Sequence, residues 1–329
     1  MANRIEEYFK NKSILIPGGA GFIGSRLMHR LCSLGAKVTI VDSFEQHCGA
    51  NFFHIRDKEH KIRFVQDRIE NFLLDHDLDQ YSSIVNCCGL TNHHVGFSDP
   101  DLDYRINCGS GLALLQKLCE TETDCRLISF GSRNQYGLVS SPVSESKLLN
   151  PLDIQSVHKT TLEYYHHVYA GKRNLSFAFL RLTNTYGPGQ RMAGEGIGFA
   201  GEIIKRSLDG EEIVIYGSGA RVKDLLFIED VVDAVLFVMM TEHLEDGVYN
   251  VGGKSHRVSD LIESIEKYMG KIQFRIEPFP EHIRNLDVGD AVMNVDRIKK
   301  ETGWFPKVSL DEGIAATLGY YQTYREKYW

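Results

Sequence analysis

Short apolar runs alternate with amphipathic stretches along the first half of the chain. Runs at 13–17, 38–41, 63–65, 83–88, 126–130 and 176–182 predict buried β-strands. Helical spacing of apolar residues predicts helices over 25–34, 112–119 and 160–169. Strands that alternate with helices, joined by right-handed crossovers, predict an α/β fold with a doubly wound parallel sheet.

The alternation of strands and helices gives way to a different sequence pattern after residue 181. Glycine-rich loops at 187–189 and 193–198 are followed by helical patterns near 198–208, 229–241 and 258–269. We therefore predict a large lobe over 1–180 and a smaller mixed α/β lobe over 181–329 that closes on the carboxyl edge of the sheet. The stretch 229–251 is expected to return to the large lobe.

A glycine-rich turn joins the first predicted strand to the first helix. Gly18, Gly21 and Gly24 have the spacing G-x-x-G-x-x-G, and Phe22 and Ile23 lie between the last two. Glycines in this position let backbone amides at a helix N-terminus approach a pyrophosphate. The strand, turn and helix together predict a Rossmann-type dinucleotide-binding lobe.

An acidic residue ends the second predicted strand. Asp42, followed by Ser43, comes about 20 residues after the glycine turn, where such folds bind the adenosine ribose. A carboxylate there accepts from both ribose hydroxyls of NAD and repels the 2′-phosphate of NADP. The sequence thus predicts NAD as the cofactor, with Asp42 and Ser43 beside its ribose.

Composition and charge exclude several classes of protein. The 329 residues carry a formal net charge of −7 and no basic tract, so nucleic acid is not expected as a partner. The strongest apolar stretch, 231–240, falls short of the roughly 20 residues of a membrane span. The charged start does not resemble a signal peptide, and the seven cysteines form no C-x-x-C pair. A cytoplasmic protein with reduced thiols and no metal site is expected.

Further segments carry a resemblance to a known family. They are Asp99-Pro100 with Asn107, 129–137, 181–188, Lys223-Asp224 with Glu229-Asp230, and 303–306. With the glycine turn, they resemble the NAD-dependent nucleotide-sugar epimerase/dehydratase family of the extended short-chain dehydrogenase/reductase superfamily, from residue 14 to about 320. The resemblance implies NAD in the large lobe, with Asn107 near it, and a nucleotide-diphosphate sugar between the lobes. It also implies a homodimer formed through helices at about 102–120 and 156–170.

The family's catalytic trio is incomplete. The resemblance matches Ser132 to the serine or threonine that orients the sugar hydroxyl, and Lys159 to the lysine that holds the nicotinamide ribose. The position of the catalytic tyrosine is Gln155. An amide cannot act as a general base, and losing a positioned base lowers a rate on the order of 10² to 10⁴ fold.

Other groups are candidates for the missing base. His93 and His94 lie in the loop after the strand at 83–88, which borders the nicotinamide in this fold, and histidine titrates near neutral pH. Tyr136 is close to Ser132 in sequence. His158 is expected to point elsewhere, because it lies one residue along the helix from Lys159.

The resemblance also implies substrate contacts. Asn184 and Arg284 are matched to groups that bind the diphosphate. Lys223 departs from the family, which has an arginine there, and Arg221, two residues earlier, is expected to share its task. The acidic pair that follows the serine in 4,6-dehydratases is here Arg133-Asn134, which disfavours dehydration. Three functions remain open: an epimerase-like or sugar-oxidising enzyme, a ketosugar-nucleotide reductase, and a catalytically silent protein that binds NAD and a sugar nucleotide.

Overall fold

A seven-stranded parallel sheet forms the centre of the computed structural model, which describes residues 2–121, 123–173, 175–194, 196–217, 219–280, 289–290 and 292–329. Its strand order is β10-β6-β5-β4-β1-β2-β3. These strands are β1 (Ser13–Pro17), β2 (Lys37–Val41), β3 (Ile62–Val65), β4 (Ser83–Asn86), β5 (Arg126–Ser132), β6 (Phe177–Leu182) and β10 (Val248–Val251). The predicted doubly wound α/β fold of Rossmann type is confirmed.

Helices cover the sheet and continue through the rest of the chain. They are α1 (Ala2–Phe9), α2 (Phe22–Ser33), α3 (Ile69–Asp75), α4 (His93–Ser98), α5 (Pro100–Tyr104), α6 (Ser110–Glu120), α7 (Ile154–Arg173), α8 (Phe199–Asp209), α9 (Ile228–Met240), α10 (Val258–Met269), α11 (Asp296–Thr302) and α12 (Leu310–Tyr324). A single π-helical turn, Arg105–Gly109, joins α5 to α6. Such turns occur often at functional sites.

Two smaller sheets accompany the seven-stranded sheet in the described residues. A three-stranded sheet has the order β11-β9-β7, built from β7 (Asn184–Tyr186), β9 (Val222–Phe227) and β11 (Lys254–Arg257). A two-stranded sheet pairs β8 (Ile213–Tyr216) with β12 (Phe274–Glu277). Strand β10 lies beside β6 in the large sheet, so the chain crosses back after α9.

Alternating side chains of β1 show how the sheet is buried on both faces. Ile14 and Ile16 belong to a core that includes α2 and α9, whereas Leu15 belongs to a second core with α3 and α6. Burial on both faces accounts for the continuous apolar runs in the sequence. Across the described ranges, no helix is long and apolar enough to cross a membrane.

Candidate active site

The glycine turn lies tightly against the end of β4. Gly18 has a φ of 73°, in the left-handed region. A Cβ atom at Gly18 would lie 2.6 Å from the backbone carbonyl carbon of Cys87, and one at Gly24 would meet the carbonyl oxygen of Gly18. Glycine at position 18 therefore lets the turn approach the end of β4, and glycine at position 24 lets α2 pack against the turn itself. Gly21 precedes Phe22 and Ile23, whose amides open α2 without intrahelical acceptors.

Asp42 organises the loop at the end of β2. Its Oδ2 accepts a hydrogen bond from the Ala20 amide at 3.0 Å, and its Oδ1 accepts one from the Phe44 amide at 3.0 Å. Burial raises the pKa of Asp42, and these two amides oppose the shift. Each carboxylate oxygen can accept a further hydrogen bond, so the group fits the two ribose hydroxyls of an adenosine.

A cleft beside Asp42 extends to the end of β3. It is lined by Gly18, Gly21, Asp42 and Ser43, by the segment 67–70, and by Cys48, Cys87 and Cys88. The sequence interpretation placed Cys87 and Cys88 in the core and did not identify 67–70. Segment 67–70 has no distinctive spacing, and only its position after β3 could have indicated it.

Two arginines in the lining of this cleft pair with one carboxylate. Oε2 of Glu45 accepts hydrogen bonds from Arg68 at 3.2 Å and from Arg105 at 3.0 Å. Arg105 opens the π-helical turn. The opposite charges hold three loops together around the cleft.

Gln155 takes part in an amide network at the start of α7. Its Nε2 donates to the carbonyl of Leu90, which also accepts from Nδ2 of Asn107 at 3.0 Å. Oδ1 of Asn107 accepts from the Leu90 amide at 3.1 Å. Gln155 and Asn107 thus fix the backbone of the loop after β4. None of the described residues donates a hydrogen bond to Oε1 of Gln155, which leaves it as an acceptor for a ligand.

Ser132 and Lys159 lie at the carboxyl end of β5. The Nζ of Lys159 donates to the carbonyl of Phe130 at 3.1 Å. Burial lowers the pKa of Lys159 to about 8, although Asp103, Asp153 and Cys88 oppose the shift. The hydroxyl of Ser132 accepts from the Asn134 amide at 3.2 Å and caps a short 3-10 turn. Both groups are therefore at the sheet edge where ligands of this fold bind.

His93 is paired with a carboxylate next to Gln155. Nδ1 of His93 lies 3.4 Å from Oδ2 of Asp153, while Oδ1 of Asp153 accepts from the Ser156 amide at 2.8 Å and caps α7. Burial alone would raise the pKa of Asp153, but His93 and the Ser156 amide outweigh burial and lower it. Nothing in the described part of the chain hydrogen-bonds to Nε2 of His93. His94 is exposed and has no comparable partner among those residues.

Tyr136 belongs to a buried hydrogen-bond network with Asn250 and Arg181. Its hydroxyl donates to Oδ1 of Asn250 at 2.7 Å and accepts from Arg181, whose guanidinium also pairs with Glu163. The Tyr136 side chain is fully buried. The structure thus gives the Tyr136 hydroxyl structural partners, and within the described residues it shows no hydrogen bond from this hydroxyl to Ser132 or Lys159.

The candidate diphosphate residues surround β9. Nδ2 of Asn184 donates to the carbonyl of Asp224 at 2.9 Å. The ammonium of Lys223 lies 5.4 Å from the centre of the Phe199 ring, and the guanidinium of Arg221 lies 4.8 Å from that of Phe279. Arg284 lies outside the described residues.

Comparison with known proteins identifies the family. The profile of the NAD-dependent epimerase/dehydratase family matches residues 14–252, more than half of the chain. The chain belongs to this family. NAD is therefore its cofactor, and the glycine turn, Asp42 and the adjoining cleft have the geometry to hold it.

Individual members of the family resemble the chain along its whole length. The UDP-glucose 4-epimerase of Mycolicibacterium smegmatis is 28% identical over 94% of this chain and 98% of its own. A putative UDP-glucose 4-epimerase of Methanocaldococcus jannaschii is 26% identical over 93% of this chain and 97% of its own. The crystal structure of the Thermotoga maritima UDP-glucose 4-epimerase with UDP-glucose has a TM-score of 0.83, with 26% identity over 95% of this chain and 99% of that one.

Proposed function

We propose that the protein uses NAD to modify a nucleotide-diphosphate sugar by hydride transfer at a sugar carbon, with epimerisation or oxidation as the outcome. The observation that carries this proposal is the pairing of His93 with Asp153 at the start of α7. The pair lies at the start of the helix that carries Gln155, the residue at the position of the missing tyrosine. The relatives support the choice of substrate, since two of them are described as UDP-glucose 4-epimerases.

Oxidation of a sugar alcohol removes a hydride from the carbon and a proton from the hydroxyl on that carbon. Bound NAD supplies the acceptor for the hydride, and the protein must accept the hydroxyl proton. Nε2 of His93 has the geometry of a general base, because a carboxylate that faces Nδ1 fixes the tautomer and stabilises the imidazolium that forms. Asp153 is itself held by the Ser156 amide, so the pair is fixed to the helix that carries Lys159.

Ser132, Gln155 and Lys159 keep supporting roles in this proposal. The hydroxyl of Ser132 and Oε1 of Gln155 orient the sugar hydroxyl, and neither takes its proton. Lys159 holds the nicotinamide ribose, as the family resemblance implies. Asn184, Arg221, Lys223 and Arg284 are proposed to bind the diphosphate, because an acidic protein needs local cations for such a ligand.

Arg133 and Asn134 bear on the type of reaction. Neither side chain is an acid or a base at neutral pH, so we do not expect elimination of water from the sugar. Reduction of a ketosugar nucleotide is the second candidate, because protonated His93 can donate to the oxygen of a reduced carbonyl. A protein that binds both ligands without turnover is the third.

A single-turnover assay tests the proposal. Purified protein is mixed with NAD and a panel of UDP-, dTDP-, GDP- and CDP-sugars, and the absorbance of reduced nicotinamide and the product masses are followed. Asp42→Ala serves as the control with weakened NAD binding. Reduced nicotinamide or a new sugar isomer is the expected result. If both ligands bind and neither signal appears, and NADH with ketosugar nucleotides also fails to react, the protein is a silent binding protein.

A further inference from the structure

The carbonyl of Ala20, in the middle of the glycine turn, accepts two hydrogen bonds from one neighbouring segment. The Asn51 amide donates to it at 3.1 Å, and Nδ1 of His54 donates to it at 2.7 Å. Ala20 and His54 are both buried. A carbonyl oxygen has two lone pairs, so residues outside the turn occupy both of them.

The contact with Ala20 fixes the tautomer of the His54 imidazole. A carbonyl oxygen can only accept, so Nδ1 must carry the proton. Burial lowers the pKa of His54 to about 4, so the ring is neutral at pH 7 and Nε2 carries no proton. Nε2 is buried and has no hydrogen-bond partner among the described residues. The polar contact of this ring within those residues is therefore the one with Ala20.

Three neighbours hold His54 in this position. The Tyr328 ring packs against the imidazole, with ring centroids 5.5 Å apart. On another side, a Cβ atom at Gly189 would lie 3.6 Å from Nε2 of His54. Nε2 of His29, on α2, donates to the backbone carbonyl of His54 at 2.8 Å. His54 thus reaches the turn from a fixed position.

The peptide unit between Ala20 and Gly21 directs the chain into α2. Its N–H, that of Gly21, donates to the carbonyl of Gly18 at 3.2 Å and closes the turn. Because a peptide unit is planar, fixing its carbonyl also fixes the direction of its N–H. The amides of Phe22 and Ile23 follow directly and open the helix. Amides at such a helix N-terminus are the ones that bind a pyrophosphate.

We propose that His54 is a positioning residue for the pyrophosphate of NAD, because its Nδ1–H fixes the carbonyl of Ala20 and thereby the amides at the start of α2. Asp42 holds the amide of Ala20 from the other side at 3.0 Å. The two side chains together fix the middle of the turn, and His54 acts without touching the cofactor. This role depends on NAD binding, which family membership establishes, and not on the base proposed for the reaction.

The test compares two substitutions of His54 by their ligand affinities. His54→Leu removes the donor, whereas His54→Asn keeps an N–H donor on the atom bonded to Cγ, where Nδ1 stands. The dissociation constant of ADP-ribose, which has the pyrophosphate and lacks the nicotinamide, is measured by calorimetry. We expect it to rise about fivefold in His54→Leu, the usual effect of one lost hydrogen bond, and to return to within about twofold of wild type in His54→Asn. The exposed control His60→Leu should bind like the wild type.

Adenosine, which has no phosphate, separates positioning of the turn from general damage to the cleft. Its affinity, measured by competition, should be the same in His54→Leu and the wild type. Unchanged ADP-ribose affinity in folded His54→Leu, an equal loss for adenosine, or an equal loss in His54→Asn overturns the proposal.

The wild-type protein provides a readout that does not depend on the folding of a variant. The 15N shifts of its histidine side chains, recorded without cofactor at pH 7, report which ring nitrogen carries the proton. We expect the Nδ1–H tautomer for His54, whose signal is assigned by its absence in His54→Asn. Protonation at Nε2 instead would overturn the proposal, whereas absence of turnover with sugar nucleotides would count only against the proposed function.

Discussion

Two neighbouring histidines differ in their surroundings at the scale of single residues. His93 faces the carboxylate of Asp153 at 3.4 Å, and His94 is exposed. If His93 is the base, His93→Ala should lower the turnover number on the order of 10² to 10⁴ fold. NAD affinity, measured by fluorescence titration, should not change, because no cofactor contact is removed. His94→Ala is the matched control and should keep wild-type turnover.

Asp153→Asn separates the charge of the pair from the helix cap. Asparagine caps helices about as well as aspartate, so α7 should keep its stability. The imidazolium would lose its stabilising carboxylate, and the pH at which turnover is half-maximal should shift downwards. A pH–rate profile measures this shift. A profile identical to that of the wild type would rule out the dyad.

Gln155, at the position of the missing tyrosine, donates a hydrogen bond whose contribution mutagenesis can measure. Gln155→Ala removes one of two donors to the Leu90 carbonyl, with an expected loss of about 1 kcal/mol in the free energy of unfolding. Because the amide takes no proton, turnover should fall less than tenfold, roughly the value of one neutral hydrogen bond. Urea denaturation tests the expected loss of stability, and the turnover assay tests the expected loss of activity. A loss as large as that expected for His93→Ala would give Gln155 a direct part in the chemistry.

Sequence spacing identified individual residues but not their partners. Gly18, Gly24 and Asp42 could be predicted because a βαβ unit fixes their mutual positions within a short stretch of chain. The pairing of Gln155 with Leu90 spans 65 residues, and the pairing of His158 with Asp103 spans 55. No local pattern specifies contacts of that kind, so the contact of Asp103 with His158 and the pairing of His93 with Asp153 required the folded chain.

At the scale of elements, α7 is attached to β6 by a buried ion pair. Glu163 accepts from Nε of Arg181 at 2.8 Å and from Nε2 of Gln135 at 3.0 Å. Glu163→Gln leaves the Arg181 charge without its carboxylate in a buried site, and such changes lower stability by about 3–5 kcal/mol. Urea denaturation should show this loss. Glu202→Gln breaks the exposed pair with Arg206 and should change stability by less than about 1 kcal/mol.

Helix α7 also shows where periodicity fails. The apolar pattern predicted a helix over 160–169, but α7 begins at Ile154. Its first two turns carry buried polar residues, namely Gln155, Ser156 and Lys159. Apolar spacing cannot detect a helical face whose burial depends on hydrogen bonds. The cap by Asp153 is a local signal of the true start.

At the scale of the whole molecule, two buried histidines predict sensitivity to acid. Burial lowers the pKa of both His54 and His166 to about 4, from 6.5. Between those values the unfolded chain binds more protons than the folded one, so stability falls as the pH drops from 6.5 to 4. Each histidine should contribute about 3 kcal/mol to this loss. His166→Gln should flatten the dependence in urea denaturation series, whereas the exposed control His60→Gln should not.

The outer face of α7 leads to a prediction about assembly. Val157, Tyr164 and Val168 are exposed by 42%, 58% and 64%, and their spacing puts them on one side of the helix. Such a stripe suits the homodimer that the family resemblance implies, because a second copy of α7 would remove these side chains from water.

Val168→Glu would bury a charge in that interface, so light scattering should show half the wild-type mass. Leu148→Glu, at a residue that is 85% exposed elsewhere, should leave the mass unchanged. A wild-type mass of one chain would contradict the prediction. Since α7 also carries Gln155 and Lys159, a dimer would stabilise the helix that positions the site, and turnover should fall when the protein is diluted below its dissociation constant.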